Sequence, residues 1–196
     1  MGNIIQSLFQ SLGRTIAAGF ALAVLMFLAL GTVGVSHAWG IFALKWLHVL
    51  CGILWIGLLY YFNFVQIPSM PKIPDEQKPA IGKVIAPTAL FYFRWAALAT
   101  VVTGLLVAAG SQYIVQALTL QQPFRAIGLG MWLALLMAFN VWFIIWPNQK
   151  KALGIVTVEP AEKAAAAKLA MLTSRFNTML SIPMLYCMVA HQNGGL

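Results

Sequence analysis

The stretch from Lys45 to Pro68, reading Lys45-Trp-Leu-His48-Val-Leu-Cys51-Gly52-Ile-Leu-Trp55-Ile-Gly57-Leu-Leu-Tyr60-Tyr61-Phe62-Asn63-Phe-Val-Gln-Ile-Pro68, decides what surroundings this chain can fold in. About 20 apolar residues at 1.5 Å rise cross a hydrocarbon core of roughly 30 Å, and this run is that long. One ionisable residue, His48, interrupts its apolar part. At 3.6 residues per turn His48, Cys51, Gly52, Trp55 and Leu59 share one face, so the imidazole looks towards protein neighbours instead of lipid. A polar group at that depth is expensive, and it points to a functional site with a partner on another helix.

Composition agrees with a membrane setting. Of 196 residues, 61% are hydrophobic and 8% charged, too apolar a balance for a soluble core to hide. The runs are long and continuous, which predicts an all-α, polytopic helical bundle and not a barrel of short alternating strands. Five spans are expected, at about 15–35, 41–67, 86–109, 126–147 and 175–192, forming a single membrane domain over 15–196. Residues 1–14 precede it as an amphipathic segment, with Ile4, Ile5, Leu8, Phe9 and Leu12 on one stripe, suited to lying on the membrane surface.

The net charge of +8 does not form one patch of the kind nucleic acid requires. Of the 12 basic residues, Arg14, Lys72, Lys78, Lys83, Lys150, Lys151, Lys163, Lys168 and Arg175 fall on one side of the expected spans, Lys45 and Arg125 on the other, and Arg94 inside the third. Because cytoplasmic loops carry the excess of Lys and Arg, the amino terminus is expected in the cytoplasm and the carboxy terminus in the periplasm, across a bacterial inner membrane. The first span follows Arg14 and is longer than the apolar core of a signal peptide, so it is expected to be retained.

Cys51 and Cys187 lie within spans and read as small packing groups. Without a Cys-x-x-Cys-His there is no covalent c-type haem attachment, and no cluster has the spacing of a zinc site. Pro68 and the proline-rich segment to Pro79 are expected to end the second span and form a loop. Pro160, with Glu159 and Glu162 beside it, should start a helix outside the membrane, and Pro183 should bend the last span.

A b-type haem between helices needs an axial imidazole, an apolar slot and something to meet its propionates. His48 supplies the imidazole, with Trp55, Phe62, Phe91, Phe93 and Trp95 as candidate walls, and His191 near the same side of the membrane is the candidate second ligand. Arg94, about 10 Å inside the third span, either snorkels to the headgroups or meets a buried anion such as a haem propionate or an anionic substrate. The plainer reading of each histidine is a packed side chain hydrogen-bonded to a neighbour. His37, at the outer end of the first span, reads as solvated.

The blocks Trp46-Leu-His48-x-x-x-Gly52-x-x-Trp55-Ile-Gly57, Phe93-Arg94-Trp95, Asn140-Val-Trp142-x-x-Ile-Trp146-Pro147-Asn148-Gln149-Lys150 and Asn177-Thr178-x-x-Ser181-x-Pro183, closing at His191, resemble the membrane domain of the bacterial membrane-bound urate hydroxylase family, also called the urate oxidase amino-terminal domain. The resemblance covers roughly 45–192, with a looser likeness to membrane protoporphyrinogen oxidase and copper-resistance families. It implies a haem-associated redox protein, with His48 and His191 as candidate iron ligands and Arg94, Asn140, Asn148 and Asn177 as polar positions of unassigned role. Full-length members carry a cytochrome c domain after this one, and the sequence stops at Leu196. Either electrons pass to a separate periplasmic cytochrome, with urate or a related purine as the substrate the resemblance implies, or this short relative does something other than oxidise urate. The competing reading is a non-catalytic subunit of a larger membrane complex, with interfacial glycines and a Met-rich last span suited to helix docking.

Overall fold

The computed structural model describes residues 2–30, 34 and 36–193, and the described residues are helical with no strand. Two compact units are present, Met1–Gly40 and Ile41–Leu196. The first contains helix α1, Gly2–Phe9, and helix α2, Leu12–Leu30, and no side chain of α2 is buried. Ile4, Ile5 and Val35 fall outside the described side chains, so the amphipathic stripe is seen only from Leu8 onward.

Helix α3 runs from His37 to Lys72, α4 from Lys78 to Gly110, the short α5 from Ile114 to Leu118, α6 from Arg125 to Ala152 and α7 from Pro160 to Asn193. Four of these helices, α2, α3, α4 and α6, are long and apolar enough to cross a membrane. The fifth expected span, in α7, is one continuous helix but falls short on apolarity. Its face carries Ser174, Asn177 and Ser181, and all three are buried against neighbouring helices. The helix expected to start at Pro160 and the last span are also one element.

The prolines do not end helices here. Three of them follow a π-helical turn: Tyr61–Gln66 before Pro68, Ile81–Ile85 before Pro87, and Asn140–Ile145 before Pro147. A proline ring clashes with the carbonyl four residues earlier, at Phe64, Lys83 and Phe143, and each of those lies within the widened turn. The expected break at Pro68 is thus a π-turn that lets α3 continue to Lys72, and the connection to α4 shrinks to residues 73–77. Gly154, at φ 75°, closes α6: its N–H donates to the Lys151 carbonyl, and that of Ile155 donates to Lys150.

In the second unit a core of Trp55, Leu59, Phe62, Phe93, Met137, Val141 and Met184 joins α3, α4, α6 and α7. Apolar side chains gain little from leaving lipid for one another, so polar contacts and close packing must specify the arrangement. The π-turns of α3 and α6 each present a buried asparagine to α7. Asn63 donates to Ser174 Oγ at 2.8 Å and to the Leu59 carbonyl at 2.9 Å, while Asn140 donates to the Asn177 carbonyl oxygen at 2.8 Å. Further along α7, Ser181 donates to the Thr178 carbonyl, so the Tyr60 hydroxyl 2.9 Å away donates to Ser181 Oγ. At Gly130 an added Cβ would lie 3.0 Å from Cys187 Cβ, which records how closely α6 and α7 approach.

Candidate cofactor site

His48 projects from α3 onto α4, where its Nδ1 lies 2.9 Å from the Thr100 carbonyl and 3.2 Å from Thr103 Oγ1. A carbonyl only accepts, so Nδ1 carries the proton. The Thr103 hydroxyl donates to the Ala99 carbonyl at 2.7 Å and is left to accept from the same imidazole N–H. This arrangement fixes the ring and leaves the Nε2 lone pair available, the condition in which histidine ligates a metal. The ring lies on Gly104: a Cβ there would be 2.8 Å from His48 Cε1, so the absent side chain makes room for the imidazole.

The imidazole borders a cavity of about 650 Å³. Few close backbone approaches link α3 to α6 and α7, and the cavity occupies the space between them. Its walls are mainly apolar, among them Ile56, Leu105, Ile127, Met131, Met184 and Met188, with Lys45, Gln192 and Asn193 on its polar margin. Lys45 is one helical turn from His48 on the same face of α3. Trp55, two turns along, also borders the cavity; it is 1% exposed and its indole N–H has no partner. An unpaired buried donor is costly and calls for an acceptor, which none of the described residues supplies.

The donor set fits a b-type haem in part. A histidine with its second nitrogen anchored, an apolar slot within the usual 300–1,000 Å³ range of cofactor sites and a lysine for a carboxylate are all present. The other expected residues lie elsewhere. His191 does not border the cavity; its ring packs 5.6 Å from those of Tyr113 and Phe124, which stack on each other at 5.1 Å. Burial there pushes the Tyr113 phenol above its ordinary range. Arg94 is also off the cavity, its guanidinium 3.9 Å from the centre of the Trp146 ring. Asn140 and Asn177 are joined to each other, and Asn177 also donates to the Met137 carbonyl at 2.9 Å. Asn148 donates to the Ile144 carbonyl within its own helix, at 2.8 Å. These three asparagines tie helices and turns together and do not line the cavity.

Residues 106–194 match the family model described as urate oxidase N-terminal. Over that stretch the chain is similar to the urate oxidase N-terminal family. No curated protein and no solved structure matches it. The matched segment contains the end of α4 and all of α5, α6 and α7, and hence Met131, Met184 and Met188 of the cavity wall. His48, Trp55, Thr100 and Gly104 precede the matched residues, although the motif resemblance began at residue 45. Sequence reading missed the Thr100, Thr103 and Gly104 seat, because nothing in a threonine or glycine of an apolar run marks which residue of another helix will lie against it.

Proposed function

We propose that this chain is a membrane redox protein that holds b-type haem in the His48 cavity, with electrons leaving to a periplasmic cytochrome and urate or a related purine as the oxidised substrate. The observation that carries the reading is the seating of His48, with Nδ1 anchored to a backbone carbonyl, the ring laid on Gly104 and Nε2 free beside an apolar cavity. Haem, when bound, supplies the one-electron chemistry. The residues of the cavity would hold it: His48 would present Nε2, Lys45 and the terminal polar residues of α7 would be available to its carboxylates, and the aliphatic and methionine walls would exclude water. The urate assignment is supported by the family match. The charge distribution supports a cytoplasmic amino terminus, which sets His48 in the periplasmic half, near a soluble electron acceptor.

Absorbance spectra of detergent-purified protein, oxidised and dithionite-reduced, test the haem clause. A sharp reduced α-band that His48→Ala abolishes is the expected result. A featureless spectrum after haem supplementation during expression would leave the non-catalytic subunit reading in its place. Urate consumption with a cytochrome supplied tests the substrate clause separately, and haem without turnover would restrict the protein to electron transfer.

A further inference from the structure

A second feature of the bundle adjoins the His48 cavity, sharing Val101 and Leu135 with its wall, but neither His48 nor Gly104 lines it. A shallow apolar groove of about 410 Å³ runs between α4 and α6, lined by Leu98, Val101, Leu135, Ala138, Trp142 and Phe143, with Phe139 beside them. One turn beyond Leu98 on α4 is Arg94, and one turn beyond Trp142 on α6 is Trp146. Arg94 lies 3.9 Å from the Trp146 ring centre, and Lys150, a further turn along α6, places its ammonium 5.7 Å from the same centre. Trp95 and Trp142 meet edge to face at 5.4 Å, which ties the groove to this cationic end.

Two cations therefore share one indole, and no carboxylate balances them. The chain has four acidic residues; among the described residues Asp75 pairs with Lys78 and Glu162 with Lys151, and no ion pair involves Arg94 or Lys150. Cation–π contact attracts each cation to the ring but does not relieve their mutual repulsion, whereas a phosphate would accept hydrogen bonds from the guanidinium and neutralise both. The apolar groove extends from that anion position for a few turns towards the middle of the span. We propose that this groove binds one anionic phospholipid, its acyl chain along Leu98, Val101, Phe139 and Phe143 and its phosphate between Arg94 and Lys150. Arg94 then answers to a lipid anion and not to a haem carboxylate.

Protein in neutral detergent is mixed with equimolar phosphatidylglycerol and phosphatidylcholine of the same acyl chains, and retained lipid is read by native mass spectrometry. Wild type should retain phosphatidylglycerol over phosphatidylcholine by about tenfold or more, the effect of two basic groups beside an anionic headgroup. The Arg94→Gln/Lys150→Gln pair should lose that preference, Arg94→Lys should keep most of it, and inorganic phosphate should not displace the lipid. In wild type, which needs no variant to fold, a phosphatidylglycerol with a photoactivatable acyl chain should label the peptides containing Leu98 and Phe139 to Phe143. Equal retention of the two lipids, a preference that survives in the double variant, displacement by inorganic phosphate or labelling confined to other helices would each overturn the proposal.

Discussion

Asn140 and Asn177 form a directed pair: the Asn140 amide donates to the Asn177 carbonyl oxygen, and Asn177 passes the contact on by donating its own amide to the Met137 backbone carbonyl. The second bond closes on the turn just before the π-segment of α6, so a residue of α7 holds the point where that helix widens. Asn177→Ala removes both bonds and strands the Asn140 amide in a buried position. It should cost about 1–3 kcal/mol, the penalty for an unpaired buried polar group. Unfolding of purified protein in a graded denaturing-detergent series checks this. Asn148→Ala, which removes only a bond within one helix, should shift the midpoint much less.

The seat of the imidazole gives a second expectation. At Gly104 an alanine methyl would sit 2.8 Å from His48 Cε1, closer than real carbon contacts allow, so the ring must shift, which strains its bond to the Thr100 carbonyl. On the haem reading proposed above, Gly104→Ala should reduce haem retention by tenfold or more, on the order of the 10–100-fold loss seen when the group orienting a metal-ligating histidine is removed. Gly82→Ala, where an added Cβ has open space, should leave retention unchanged. Pyridine haemochrome titration of the two variants against wild type supplies the measurement.

The sequence was legible where one helix could be judged alone. Apolar runs placed α2, α3, α4 and α6, and the depth of His48 marked it as a residue needing a partner. The partner itself was not legible: Thr100 is 52 positions away, and only the register between α3 and α4 brings its carbonyl to Nδ1. His191 shows the converse. Counting residues puts it near the same side as His48, and its ring packs against Tyr113 and Phe124 from the segment between α4 and α6, a contact no spacing announces. Pro68 misled because a local rule, that proline stops a helix, was met by a local remedy, the wide turn preceding it.

The short helix α5 is pinned against α6 at Gly128, where any side chain would run into the Ala117 backbone carbonyl. A backbone atom cannot swing aside as a side chain does. Gly128→Ala should therefore destabilise by about 2 kcal/mol or more, in the range of overpacked cores. Thermal unfolding in detergent should show the loss, with a larger shift than Gly57→Ala, where space is open.

Tyr113 gives a pH expectation. Burial disfavours the phenolate and raises the folded-state value above the ordinary one of about 10. The unfolded chain thus releases the proton first, so this contribution is fully present below about pH 10 and is lost as pH rises through the folded value. Tyr113→Phe should make the fall of the unfolding midpoint between about pH 9 and 11 less steep than in wild type. Parallel slopes for the two proteins would show that Tyr113 does not contribute to alkaline unfolding.

Each wide turn also has a bearing on how the chain tolerates insertion and deletion. A π-turn carries about one residue more than the α-helix needs to make the same circuit, and one α-helical residue corresponds to about 100° of rotation. Loss of a single residue within Asn140–Ile145 could be absorbed by tightening the turn, so that Trp146, Pro147 and Lys150 keep their bearing while Asn140 loses its purchase on α7. The same deletion two turns earlier has no slack to draw on and would rotate every later residue of α6 by that angle, carrying Trp146 out from under Arg94. Loss of one residue from α6 should therefore cost less at the asparagine-led turn than two turns earlier, the Asn140 contact being the part given up.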